Sequence, residues 1–299
     1  MAITVSPGPT IPLEACRQAA TPFSHEGHSY ATWSAGQGPD LLLIHGFPTS
    51  SWDWCKLWGP LSWHFTCHAM DMLGFGLSDK PAGYRYRIAY QAKAQVALLR
   101  SRNVKEVHIL AHDYGDTVAQ ELLALQREGE LEGLRIKSVV FLNGGLFPGV
   151  HRPRLIQKLL TTPLGPVIAA LMSEGAFRRN FRAIFGANTQ PTVEELEGFW
   201  GLMNEKRGRR VMPLLIDYMA QRRTNEERWR APLADPQVPL RLINGADDPI
   251  SGRHLVEAYN KIVPDADTVL LEGIGHYPQM EAPEGVFDAI MAFHRRLSA

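Results

Sequence analysis

Short apolar runs alternate with longer amphipathic segments along most of this chain, and few architectures accept that pattern. Residues 41–44 (Leu-Leu-Leu-Ile), 66–71, 107–111, 136–142, 240–244 and 268–271 read as strands, several with little polar alternation. A strand that is apolar on both faces must be covered on both faces. That is the condition of a mostly parallel sheet flanked by helices. The spacing predicts the covering helices at 88–102, 114–128, 253–263 and 284–297.

The alternation breaks at about Pro148 and resumes after Pro232. Between them the chain has helical periodicity, punctuated by Pro153, Pro163, Pro166, Pro191 and Pro213, and no convincing strand. About 85 residues is far too long for an ordinary connection between two strands. The expected organisation is a core domain formed by 1–147 and 233–299, with an inserted helical cap at 148–232. Such a cap would shape a pocket over the carboxyl ends of the strands.

Composition narrows the partners. The 299 residues suit one α/β domain plus an insertion, and the formal net charge is zero. Nothing resembles a basic stripe for nucleic acid or a polybasic cluster for anionic lipid. The arginine-rich stretch 207–230 is interrupted by Asp217, Glu226 and Glu227 and reads as a solvated helix face. Cys16, Cys55 and Cys67 are too few and too scattered for a disulfide framework. Residues 1–16 lack a signal-peptide pattern, and no apolar run approaches the roughly 18 residues of a membrane span. These features lead to the expectation of a cytoplasmic protein; a small-molecule substrate is expected from the motifs below, and monomer and homodimer are both left open.

The candidate chemistry centres on one turn. Residues 107–111 form a strand, 114–128 a helix, and His112-Asp113-Tyr114-Gly115 lies between them. Ala111 and Gly115 put small residues two before and two after Asp113. That is the spacing of a nucleophile elbow, where bulk at either flank would clash with neighbouring elements. Aspartate in place of the usual serine changes the chemistry. A carboxylate with a pKa near ~4 is already ionised at neutral pH. It can displace a leaving group at an sp3 carbon and form an alkyl-enzyme ester. A base is then needed only to activate water for ester hydrolysis.

The supporting parts follow in order. His45-Gly46-Phe47-Pro48 succeeds the strand at 41–44, so the amides of Phe47 and Tyr114 are the expected oxyanion-hole donors. Gly245-Ala246-Asp247-Asp248-Pro249 supplies the acid, with Asp248 preferred and Asp247 the alternative. His276, in the Gly273-Ile274-Gly275-His276 loop after the last strand, is the expected base. His45 and His112 read as orientation or packing residues. His25-x-x-His28 has weak metal spacing and lacks partners.

Together with Gly74-Phe75-Gly76-Leu77-Ser78-Asp79-Lys80-Pro81, these strings resemble the α/β-hydrolase family in its epoxide hydrolase and dehalogenase branch. Within the branch the chain is similar to the mesoderm-specific transcript protein subgroup. That similarity lies at Thr49-Ser50-Ser51, His112-Asp113-Tyr114-Gly115-Asp116, Asn143-Gly144-Gly145, His151-Arg152-Pro153 and His276-Tyr277-Pro278-Gln279. The resemblance implies an α/β-hydrolase fold: a mostly parallel central sheet, flanking helices and an inserted helical cap. It implies chemistry without an organic cofactor or metal. Dehalogenases of the branch usually carry Asn and Trp donors for the departing halide where this chain has Phe47 and Tyr114. Its epoxide hydrolases use cap tyrosines to protonate the epoxide oxygen. The cap here has one tyrosine, Tyr218, with His151 as a possible second donor. The expected function is therefore epoxide opening to a vicinal diol through an Asp113 ester. The alternatives are a haloalkane or haloacid dehalogenase with the same nucleophile, and a hydrolase-fold binding protein without turnover.

Overall fold

The computed structural model describes residues 10–297. Eight strands form one sheet: β1 (Thr21–His25), β2 (His28–Ala35), β3 (Asp40–Ile44), β4 (Thr66–Met70), β5 (Glu106–His112), β6 (Arg135–Leu142), β7 (Leu240–Gly245) and β8 (Thr268–Leu271), in the order β1-β2-β4-β3-β5-β6-β7-β8. β1 pairs antiparallel with β2 and β2 antiparallel with β4; all other pairs are parallel. The six strands read from the sequence are present within a residue or so of their expected ends.

The hairpin β1–β2 was not foreseen. Its turn places Glu26 at φ 48° and Gly27 at φ 77°. Two successive positive φ values suit a two-residue hairpin turn, whose usual signal is Asn-Gly or Asp-Gly, not Glu-Gly. The hairpin's apolar residues also fail to alternate: Tyr30 to Trp33 are buried without a break.

Each central strand divides its side chains between two cores. Leu42 and Ile44 of β3 face one layer, with residues of the helices Ile88–Ser101 and Tyr114–Glu128. Leu41 and Leu43 face the other, with Val286, Phe287, Ile290 and Phe293 of the helix Pro283–Leu297. Between β6 and β7 lie only helices, among them Glu174–Arg182, Val193–Asn204, Tyr218–Thr224 and Glu226–Ala234.

The strand order fixes where a site can form. From β3 the chain moves to β4 on one side, then crosses back to β5 on the other. Connections that leave in opposite directions open a crevice at the carboxyl ends of β3 and β5. Ile44 is in register with Ala111, so the loop at His45–Pro48 and the turn at His112–Tyr114 emerge side by side.

Candidate active site

Asp113 leaves β5 at φ 48°, ψ −104°, a strained conformation for a non-glycine residue, and the helix Tyr114–Glu128 begins immediately after it. Such strain persists only where the surroundings enforce it. Here Asp113 N–H donates to Leu142 O at 3.1 Å, and Asp116 N–H donates to Asp113 O at 3.2 Å. Gly115 is required by space: a Cβ there would stand 2.3 Å from Ile44 O and 2.8 Å from His45 O, both backbone atoms.

The adjacent loop meets the carboxylate directly. Phe47 N–H donates to Asp113 Oδ2 at 3.0 Å. That loop is itself held by buried Asp53, whose Oδ2 accepts from Gly46 N–H at 3.2 Å and Thr49 Oγ1 at 2.7 Å. With Oδ2 engaged, Oδ1 is the oxygen nearer His276, 3.9 Å from its Nε2, which is too far for a hydrogen bond.

His276 is buried after β8, and its Nδ1–H donates to Asp248 Oδ2 at 2.8 Å. Of the two aspartates left open by the sequence, Asp248 is buried against the histidine and Asp247 is exposed. Asp248 also accepts from Ile250 N–H at 2.7 Å, Ser251 N–H at 3.1 Å, Ser251 Oγ at 2.8 Å and Asn143 Nδ2 at 2.8 Å. Burial opposes charging of His276, but the Asp248 carboxylate and then Asp113 outweigh it and raise the imidazole to about 9. Asp248 is held below the usual carboxylate range: burial works against it, and His276 and the surrounding donors prevail.

The other sequence candidates divide. The Tyr218 ring is buried against Tyr114 at 5.0 Å and Phe47 at 6.0 Å, centroid to centroid. Burial, then the Asp113 charge, pushes its phenol up. Burial, then Arg222, lowers His151 to about 4. It lines a different surface recess, with Pro153, Ile216 and Met219. His112 donates from Nε2 to His276 O at 2.8 Å. His45 accepts from Met72 N–H at 3.0 Å through Nε2. No group of three or more metal-ligating side chains occurs among the described residues.

A cleft partly open to solvent reaches this constellation. Phe47 and His276 line it, together with Phe177, Phe181, Met203 and Met212 from the helical segment. Its polar lining residues include Arg154, Gln157 and Asn180.

Four contributors were not singled out as site residues in the sequence. Asn143 links β6 to Asp248, Ser251 caps Asp248, and Asp53 braces the Phe47 loop. Glu281 accepts from Gly275 N–H at 2.8 Å, Tyr277 N–H at 3.0 Å, Gly186 N–H at 2.7 Å and Thr189 Oγ1 at 2.6 Å. It thereby ties the His276 loop to the helical segment. The arginine stretch needs correction. Arg222 is only 2% exposed and reaches the elbow, and Arg228 pairs with buried Glu121, so this is not a uniformly solvated face.

A strained carboxylate elbow, a buried His–Asp pair and an eight-stranded sheet with this order define a class, and the comparisons agree. The chain belongs to the alpha/beta hydrolase fold family, which matches residues 39–283. It is 41% identical over 260 residues to the mesoderm-specific transcript protein of Mus musculus, covering 85% of this chain and 78% of the mouse protein. It is 36% identical over 269 residues to the Mycobacterium tuberculosis protein LipZ, covering 89% and 92%. Among solved structures, a loop variant of haloalkane dehalogenase DbeA from Bradyrhizobium elkanii superposes with a TM-score of 0.79 at 19% identity, over 93% of this chain and 97% of that one. The epoxide hydrolase CorEH superposes with a TM-score of 0.76 at 18% identity, over 93% and 99%. At that identity these structures speak to the fold alone.

Proposed function

We propose that this chain is a hydrolase that opens epoxides to vicinal diols, with Asp113 as nucleophile and residues 148–232 acting as a cap over the site. The observation that carries the reading is the asymmetric hold on Asp113. One carboxylate oxygen accepts from the Phe47 amide at 3.0 Å, while the other lies 3.9 Å from His276 Nε2 without a hydrogen bond. Oδ1 attacks an epoxide carbon, the C–O bond breaks, and the freed oxygen takes the Tyr218 proton. Asp113 is then an ester with Oδ2 as its carbonyl oxygen. Oδ2 already accepts from the Phe47 amide, and the amide of Tyr114 is the second donor assigned to the oxyanion.

Ester formation also changes His276. It removes the Asp113 charge, one of the charges that hold the imidazole at about 9. The histidine then releases its proton more readily and can accept one from water. Hydroxide adds to Cγ, the acyl–oxygen bond breaks, and the diol leaves carrying Oδ1. Asp248 holds the imidazole through Nδ1 and offsets its charge. Phe47 and Tyr114 put no Asn or Trp side-chain donor where a departing halide would be held, so epoxides are favoured over alkyl halides. We place the protein in the cytoplasm, consistent with its free cysteines.

The test is turnover of styrene-oxide-like and aliphatic epoxides in heavy-oxygen water, followed by peptide mass spectrometry. The label should enter the Asp113 carboxylate over repeated cycles. An active enzyme whose Asp113 stays unlabelled would overturn the mechanism, and halide release without diol formation would replace the substrate class.

A further inference from the structure

Arg222 is a buried cation that ordinary stability does not explain. It is 2% exposed, and no carboxylate forms an ion pair with it among the described residues. A buried charge without a paired counter-charge is costly, so its position calls for another reason. Arg222 follows Tyr218 by four residues on the helix Tyr218–Thr224, which stacks the two side chains on one face. Its Cζ lies 4.6 Å from the Tyr218 ring centroid. From there the guanidinium reaches the nucleophile turn. Nε donates to Thr117 Oγ1 at 2.7 Å and Nη2 to Asp113 O at 3.3 Å. Gly145, just after β6, leaves the room: a Cβ there would stand 2.2 Å from Nη1. The nearby carboxyl of Asp116 forms no ion pair with Arg222 among the described residues. Burial, then Asp113, holds that carboxyl well above the usual carboxylate range.

We propose that Arg222 is a positioning residue that acts through Tyr218, as the fixed counter-cation for the negative charge that passes from Asp113 to Tyr218 when an epoxide opens. The proposal rests on the epoxide reading above. Before attack the charge is on the Asp113 carboxylate. As the Oδ1–carbon bond forms, the epoxide oxygen takes the electron pair of the broken C–O bond and the Tyr218 proton. Asp113 is then a neutral ester and Tyr218 a phenolate. Arg222 touches both ends of this transfer, the Asp113 turn and the face of the Tyr218 ring. A cation over that ring favours the phenolate over the phenol. Tyr218 regains its proton from solvent after ester hydrolysis. On this reading one cap tyrosine suffices because a guanidinium assists it.

The experiment is a double-mutant cycle of R222Q and R222K with Y218F, in the full chain, on styrene oxide. Rapid-quench single turnovers separate formation of the Asp113 ester from its hydrolysis. R222Q should slow ester formation by about 10- to 30-fold, the size of a desolvated cation–π contact, and change hydrolysis by less than about 3-fold. R222K, which keeps the charge, should recover most of the loss. In the Y218F background R222Q should have little further effect. Equal slowing of both steps, or the same loss with and without Tyr218, would overturn the proposal and leave Arg222 as a structural tie. If R222Q does not fold, R222M, which also removes the charge, takes its place in the same cycle: a loss confined to ester formation and to enzyme retaining Tyr218 supports the proposal, and any other pattern overturns it.

If the wild type opens no epoxide, the substrate reading fails, and the Arg222–Tyr218 coupling is then read directly. Protein labelled with fluorotyrosine, compared with its Y218F form, reports the Tyr218 phenol by absorbance. Replacing Arg222 should move that ionisation upward by about one unit, a tenfold change. An unmoved titration would overturn the coupling.

Discussion

Replacing Asp248 with asparagine should separate the two halves of the reaction. Asp248 Oδ2 lies 2.8 Å from His276 Nδ1, and the imidazole stands at about 9 against an ordinary 6.5, although burial alone would lower it. The carboxylates therefore supply more than the visible rise, which corresponds to about 3 kcal/mol at ~1.36 kcal/mol per unit. Asp248 is foremost among them. Without it, His276 is less basic, and the imidazolium formed when water gives up its proton loses its counter-charge. About 3 kcal/mol corresponds to roughly 10²-fold, so ester hydrolysis should slow by about 10²–10⁴. Attack by Asp113 needs no base, so ester formation should stay within about 3-fold of wild type. Rapid quench with intact-mass analysis would then show the alkyl-enzyme accumulating to one per site. Exposed Asp247 gives the control, and D247N should leave both rates within about 2-fold. A D248N enzyme that hydrolyses its ester within tenfold of wild type, or a D247N enzyme that accumulates it, would refute the assignment.

Three further outcomes follow from the same geometry. Because His276 is raised in the fold, the stability it contributes is complete below about pH 6.5 and is lost as pH rises through about 9; denaturant melts across that window should show a fall of up to about 3 kcal/mol that H276Q lacks. Gly115→Ala drives a Cβ into the backbone oxygens of Ile44 and His45, so it should cost about 1–3 kcal/mol in thermal melting and distort the Asp113 turn, abolishing most ester formation. Glu281→Gln leaves an amide among four donors, so it should destabilise by about 1–3 kcal/mol and slow ester hydrolysis more than ester formation, because it anchors the loop of His276 and not that of Asp113.

Much of the frame was legible because it is local. A strand buried on both faces is a short apolar run, and a helix that follows a tight turn needs a small residue near the crossing. Residues 107–128 therefore disclosed β5, the Asp113 turn and its helix together, and chain order was enough to suggest His276. The β1–β2 hairpin escaped because Glu26-Gly27 is a weak turn signal and its inward residues do not alternate.

What the sequence by itself determined was the set of reactive groups and the strand ends that carry them. The tertiary structure decided which groups meet. Asp247 and Asp248 are adjacent in sequence, and only packing against Asn143, Ser251 and His276 distinguishes the buried one from the exposed one. Arg222 sat in a stretch whose charges looked solvated, because exposure depends on what a helix packs against and not on its own composition. It lies 109 positions from Asp113, and only the folded helical segment lowers its guanidinium onto the nucleophile turn. Burial and long-range charge are properties of the assembled chain, so the proton affinities of His276 and Tyr218 could not be read from their neighbours in sequence.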